Sequence, residues 1–241
     1  MKKYLAEGLV IFASIFASFS VENIRQNSIE KEILNEAVIT LGDEIESNIE
    51  YTKEHLKQVR NMHYVMEKVH DEFDNIKLND VYNLHSNNPY IFRIIENGNI
   101  EYNLQYNDSY YVLAWWNAWE PEDVFFQSML YSGKLLEIKN KKLRKEIESI
   151  YTKQEERING MTQLTKNRTE RIVEWFENER NKFDEDIRND DLFNKHKNQK
   201  LKNLISLCKQ NLNSRVSDLE NYLQALNNVV LLISSEYKQL D

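Results

Sequence analysis

The chain has 241 residues, with 31 Lys and Arg against 39 Asp and Glu, a formal net charge of −8 and 41% hydrophobic residues. That acidic balance argues against nucleic acid as a partner, because phosphate backbones are met by basic surfaces. With only five Gly and two Pro the chain has little material for phosphate-cradling loops and favours helix, and its one cysteine, Cys208, cannot form an internal disulfide.

The chain opens MKKYLAEGLVIFASIFASFSVENIRQN. Leu9, Val10, Ile11, Phe12, Ile15, Phe16, Phe19 and Val21 put apolar groups all round one helix, which fits an amphipathic core helix badly. The 18 residues from Tyr4 to Val21 make about 27 Å of helix, against a bilayer core of about 30 Å. The expectation is a transmembrane anchor over residues 1–21, single-pass in a bacterial inner membrane. Lys2 and Lys3 would hold the amino terminus in the cytoplasm, with the body of the protein extracytoplasmic. Glu7 would then sit at the headgroups, and Ala13/Ala17 with Ser14/Ser18 would form small-xxx-small pairs suited to close helix contact. The same run also fits a cleaved export signal ending at Ser18-Phe19-Ser20.

From Leu34 a heptad takes over. Leu34, Val38, Leu41, Ile45, Thr52, Val59, Met62, Met66, Val69, Phe73 and Ile76 fall on three- and four-residue steps, and polar Asn48 and His55 interrupt them. Gly42-Asp43 with Glu46 has the look of a stop and a new capping box, but the apolar phase does not slip there. The spacing predicts one long helix over 22–77, packed as in a coiled-coil-like bundle.

Residues 78–133 break the pattern. Asn97-Gly98 between alternating apolars predicts a small β-hairpin. AWWNAW follows, and Pro121 with Glu122 and Asp123 opens a helix that Gly133 closes. Further helices are expected over 140–185 and 198–238. The first is capped by Asn140, carries Leu143, Ile147, Ile150, Ile158, Met161, Leu164, Ile172, Trp175 or Phe176, and Phe183 along one stripe, and bends at Asn159-Gly160. The second carries Leu201, Ile205, Cys208, Leu212, Val216, Leu219, Leu223, Leu226, Val230, Ile233 and Tyr237. The fold class is therefore mainly α: an anchor followed by one bundle domain, 22–241, with a hairpin and aromatic-rich insertion.

Chemistry is scarce. The chain carries no phosphate loop, dinucleotide fingerprint, nucleophile elbow, HExxH or paired CxxC motif. His63, Glu67, His70 and Asp74 follow at i, i+4, i+7 and i+11 on one helical stripe, a ligand set for a divalent metal if a facing helix adds to it. Trp115, Trp116 and Trp119 either seal the bundle or form a recognition patch.

SGKLLEIKNKKLRKEI (Ser132–Ile147), with the N-terminal run and EILNEAVITLGDEIESNIEY after it, resembles a family of uncharacterised bacterial membrane-anchored helical proteins carrying an SGxLxxIKNxxLR-like block. The resemblance covers about the first 155 residues. Here Glu7-Gly8 reverses the family's Gly/Glu pair, and the MKK start replaces a longer basic leader. The family has no assigned activity, so the resemblance implies no catalytic residue and no cofactor. The expected function is a non-enzymatic, membrane-anchored interaction or scaffold protein that binds a protein partner or itself. A metal-dependent helical hydrolase and an oligomeric pore-forming effector are the alternatives.

Overall fold

Helix α1 runs without interruption from Lys2 to Asp71. It belongs to a computed structural model that describes residues 2–87, 91–94, 100–103 and 111–237, with side chains for 16–85 and 112–237. Gly42 does not stop the helix. A Cβ at that position would lie 3.5 Å from Ile233 Cγ2, an ordinary contact. After α1 come α2 (Leu78–Asn87), strands β1 (Ile91–Ile94) and β2 (Ile100–Asn103), α3 (Tyr111–Ala114), α4 (Val124–Tyr131) and α5 (Lys134–Glu137). Then follow α6 (Lys141–Ser149), a π-helical turn (Ile150–Gln154), α7 (Glu155–Arg180), α8 (Asn189–His196) and α9 (Gln199–Glu236). The strands pair antiparallel, Ile91 opposite Asn103 and Ile94 opposite Ile100. The Asn97-Gly98 turn expected between them lies outside the described residues.

The core is a helical bundle in which α9 lies between α1 and α7 and antiparallel to both. Along α1, Ile233 meets Gly42, Arg60 bonds Glu220 at 2.6 Å and Lys209 reaches Asp71 at 3.4 Å. Along α7, Asn211 donates to Thr165 at 2.8 Å, and the Trp175 indole donates at 3.1 Å to Asn198, whose side chain also caps α9. The heptad positions from Val38 to Ile76 are buried against α9, against the segment 115–123 or against the elements that close the bundle's far end. Asn140 caps α6 by accepting from the Lys142 and Leu143 amides, and Gly133 takes the left-handed conformation (φ 78°) that links α4 to α5.

Three expectations are corrected. Helix α7 runs through Asn159-Gly160 without a break, and the irregularity in this stretch is the π-helical turn at Ile150–Gln154. The wide turn places both Ile150 and Tyr151 inside, and beyond it the buried face passes to Ile158, Thr162, Thr165, Thr169 and Ile172. Leu164 and Phe183 are exposed, while the buried threonine hydroxyls bond back to their own helix, Thr162 to the Ile158 carbonyl at 2.9 Å. In α9 the buried positions are Arg215, Tyr222 and Val229 rather than Val216, Leu223 and Val230.

The third correction concerns the N-terminus. Among the described residues no helix is long and apolar enough to cross a membrane. This overturns the single-pass inner-membrane placement, together with the orientation built on it. The run whose side chains are described mixes Phe16, Phe19 and Val21 with Ala17, Ser18 and Ser20, and Glu22 and Arg25 follow as an ion pair at 2.8 Å. Ala17 and Ser18 are exposed; Glu7, Ala13 and Ser14 lie outside the residues with described side chains.

Candidate functional site

Glu44, Asn48, Thr52, His55 and Gln58 step along one face of α1 at helical spacing, and none is more than 4% exposed. Polar groups buried this thoroughly need partners. Here the partners come mainly from the strap, the irregular segment 115–123 between α3 and α4, whose backbone amides have no ladder of their own. Asn48 clamps Glu122 from both sides, accepting its N–H at 2.8 Å and donating to its carbonyl at 2.7 Å. The Tyr51 hydroxyl accepts from the Glu120 amide at 3.0 Å.

Glu44 performs the capping that α4 lacks locally. Asp123, the N-cap residue, makes no side-chain cap bond. The Glu44 carboxylate instead accepts from the Phe125 amide at 2.6 Å and the Phe126 amide at 3.2 Å. A carboxylate there satisfies orphan donors and lies at the positive end of the helix dipole. Tyr151 donates to the same carboxylate at 2.7 Å and stacks on Phe126 with ring centroids 4.3 Å apart. The π-helical turn therefore delivers the hydroxyl that completes the cap. Burial and the bond to Glu44 both push the Tyr151 phenol well above its ordinary range.

Deeper along the same face, Arg215 of α9 is fully buried and donates through Nη2 to His55 Nε2 at 2.8 Å and to the Asn117 carbonyl at 2.9 Å. Asn117 Nδ2 lies 3.0 Å from His55 Nδ1 and donates to Gln58 Oε1 at 3.0 Å. Burial, and then the guanidinium charge, hold the His55 pKa well below its ordinary value, so the ring is neutral. Trp119 caps the group, its ring 5.0 Å from His55, 5.2 Å from Tyr51 and 5.5 Å from Tyr222. At the outer edge, burial and then the charge of Asp123 raise the Glu155 carboxyl to about 7.

The residues flagged in the sequence divide sharply. Trp119 is 5% exposed and belongs to the core, so the three tryptophans do not form an open patch. Trp115 and Trp116 are half-buried, with Lys166 Nζ 5.0 Å above the Trp116 ring. The His63–Asp74 stripe stays apart: His63 is half-buried, Glu67 is exposed, His70 lies 2.8 Å from Asp71, and Asp74 faces Lys202 at 3.8 Å. Among the described residues no group of three or more His, Cys, Asp or Glu side chains is placed to hold a metal. Cys208 is a buried core residue, its thiol pushed up by burial to about 12.

Glu44, Gln58, Asn117, Tyr151, Arg215 and Tyr222 escaped the reading of the sequence. The available signal was the pair of polar breaks at Asn48 and His55, which asked for polar partners from another element. In comparisons with known proteins, no family model, no curated protein and no solved structure matches the chain.

Proposed function

We propose that the chain is a non-enzymatic helical assembly protein whose α1 projection pairs with a second helix, that of another copy of the chain. The observation that carries this reading is the exposure of large apolar side chains where α1 outruns α9: Phe16, Phe19, Val21, Ile24, Ile29 and Ile33 are 43–70% exposed. Isolated apolar side chains on a surface are ordinary, but a succession of them along one unpartnered helix supports an interaction segment. The strapped bundle beneath supplies a rigid base, since the buried polar face holds the strap rather than presenting reactive groups to solvent. The family that Ser132–Ile147 resembles has no assigned activity and adds none to this reading.

The test is sedimentation of the full chain across a hundredfold range of concentration. A reversible dimer that Ile24→Asp and Ile29→Asp both dissociate, with an unchanged melting temperature, is the expected result. A chain that stays monomeric at every concentration would end the proposal.

A further inference from the structure

We propose that Arg215, with the Trp119 indole and the Tyr222 hydroxyl, forms an internal binding site for a small monovalent anion, a halide or a formate-sized carboxylate. The first observation is an uncompensated charge. Arg215 is 0% exposed, and its hydrogen bonds go to a neutral imidazole and a backbone carbonyl. Its hydrogen-bond partners among the described residues include no carboxylate. Burial lowers the guanidinium to about 10, so it remains charged at neutral pH. A buried charge left in this state is strongly unfavourable, and nature ordinarily supplies a counter-charge.

The second observation is independent of that charge. Arg215 Nε and Nη1, Trp119 Nε1 and Tyr222 Oη are buried and have no hydrogen-bond partner among the described residues. These groups belong to one contiguous cluster. His55 touches both Arg215 and Trp119, Trp119 touches Tyr222, and Tyr222 lies seven residues from Arg215 on the same buried face of α9. Guanidinium and indole N–H groups only donate, and the unpartnered Asn117 Oδ1 in the same cluster is a single acceptor, so the donors ask for a further one. A water molecule would satisfy donors and leave the charge; a monovalent anion answers both. A dianion such as sulfate would bring a second charge that neutral His55 cannot match.

The experiment compares thermal unfolding of the full chain in sodium bromide, sodium formate, sodium sulfate and sodium gluconate at matched ionic strength. Bromide and formate should raise the melting temperature saturably by several degrees over gluconate, and sulfate should not. Crystals grown in bromide should show an anomalous peak within hydrogen-bond reach of Arg215 Nε or Nη1. Arg215→Met should abolish the bromide response. If that variant does not fold, Trp119→Phe keeps the charge, removes one donor, and should weaken the response several-fold. Equal melting in bromide and gluconate, an equal response to sulfate, or a water molecule in place of the anomalous peak would each overturn the proposal.

Discussion

Two stretches of α1, Glu44–Gln58 and Val59–Ile76, are buried to the same degree by opposite means. In the second, Val59, Met62, Val65, Met66, Val69, Phe73 and Ile76 are all apolar. They meet α9 and the closing elements α2 and α8, where Phe73 packs against Phe193 at 6.5 Å and the Leu78 amide donates to Asn194 at 2.9 Å. In the first, the residues facing the strap are polar, and each meets a particular amide, carbonyl or side chain. Apolar contact is non-directional and contributes roughly in proportion to area. A buried hydrogen bond adds little net stability when made and costs much when half of it is removed. The apolar stretch therefore supplies stability, and the polar stretch decides where an irregular strap must lie.

The largest effect should follow from Glu44→Ala. It orphans the Phe125 and Phe126 amides and the Tyr151 hydroxyl together, and should cost about 3–5 kcal/mol in denaturant unfolding. Glu44→Gln, which keeps one acceptor oxygen, should cost clearly less. His55→Leu comes next, at about 2–4 kcal/mol, because it removes the acceptor of a buried guanidinium. Coiled-coil reasoning alone expects the opposite, since a polar residue on an apolar seam usually trades stability for register. A neutral or stabilising His55→Leu would show that Arg215 gains nothing from the ring. Val59→Ala in the apolar stretch should cost about 2 kcal/mol through lost contact and an imperfectly closed cavity. If Glu44→Ala and Val59→Ala cost the same, the contrast between the stretches fails.

The apolar stretch was legible in the sequence and the polar one was not, for a physical reason. Hydrophobic periodicity reports burial only where buried residues are apolar. From Val59 to Ile76 they are, and the heptad identified the correct face. In α9 the buried face runs through Leu212, Arg215, Leu219, Tyr222, Leu226 and Val229. Apolar periodicity selects neighbouring Val216, Leu223 and Val230 instead, because Arg215 and Tyr222 look like surface. The π-helical turn at Ile150–Gln154 was illegible for a related reason: one extra residue per turn shifts the phase, and the threonines that inherit the core disguise the shift. The capping of α4 by Glu44 joins residues about eighty positions apart and leaves no local trace.

The smallest predicted effect sharpens the comparison by assigning a pH dependence to the surroundings of the strap, where Glu155 faces Asp123. Glu155 follows the π-helical turn and faces Asp123 from the strap and Tyr222 from α9, which its charge also pushes upward. Its folded pKa is raised to about 7 from 4.5, so between those values the native state holds a proton that the unfolded chain has released. Stability then falls as pH rises through that window, and the contribution is constant below and above it. Glu155 is only about half buried, so solvent screening reduces the effect to about 1 kcal/mol. His85 opposes it. Buried and held by that burial at about 4, it costs stability as pH falls from about 6.5 to about 4. The two slopes overlap, so the quantity to measure is the stability of Glu155→Gln minus that of the native chain at pH 4, 5, 6, 7 and 8. The difference should rise by about 1 kcal/mol between pH 4 and 8, with most of the change near 5 to 7. A matched pair of curves for Val59→Ala should run parallel to the native chain, since no titrating group depends on it. A flat difference for Glu155→Gln would mean that its carboxyl is solvated and that Asp123 does not press on it.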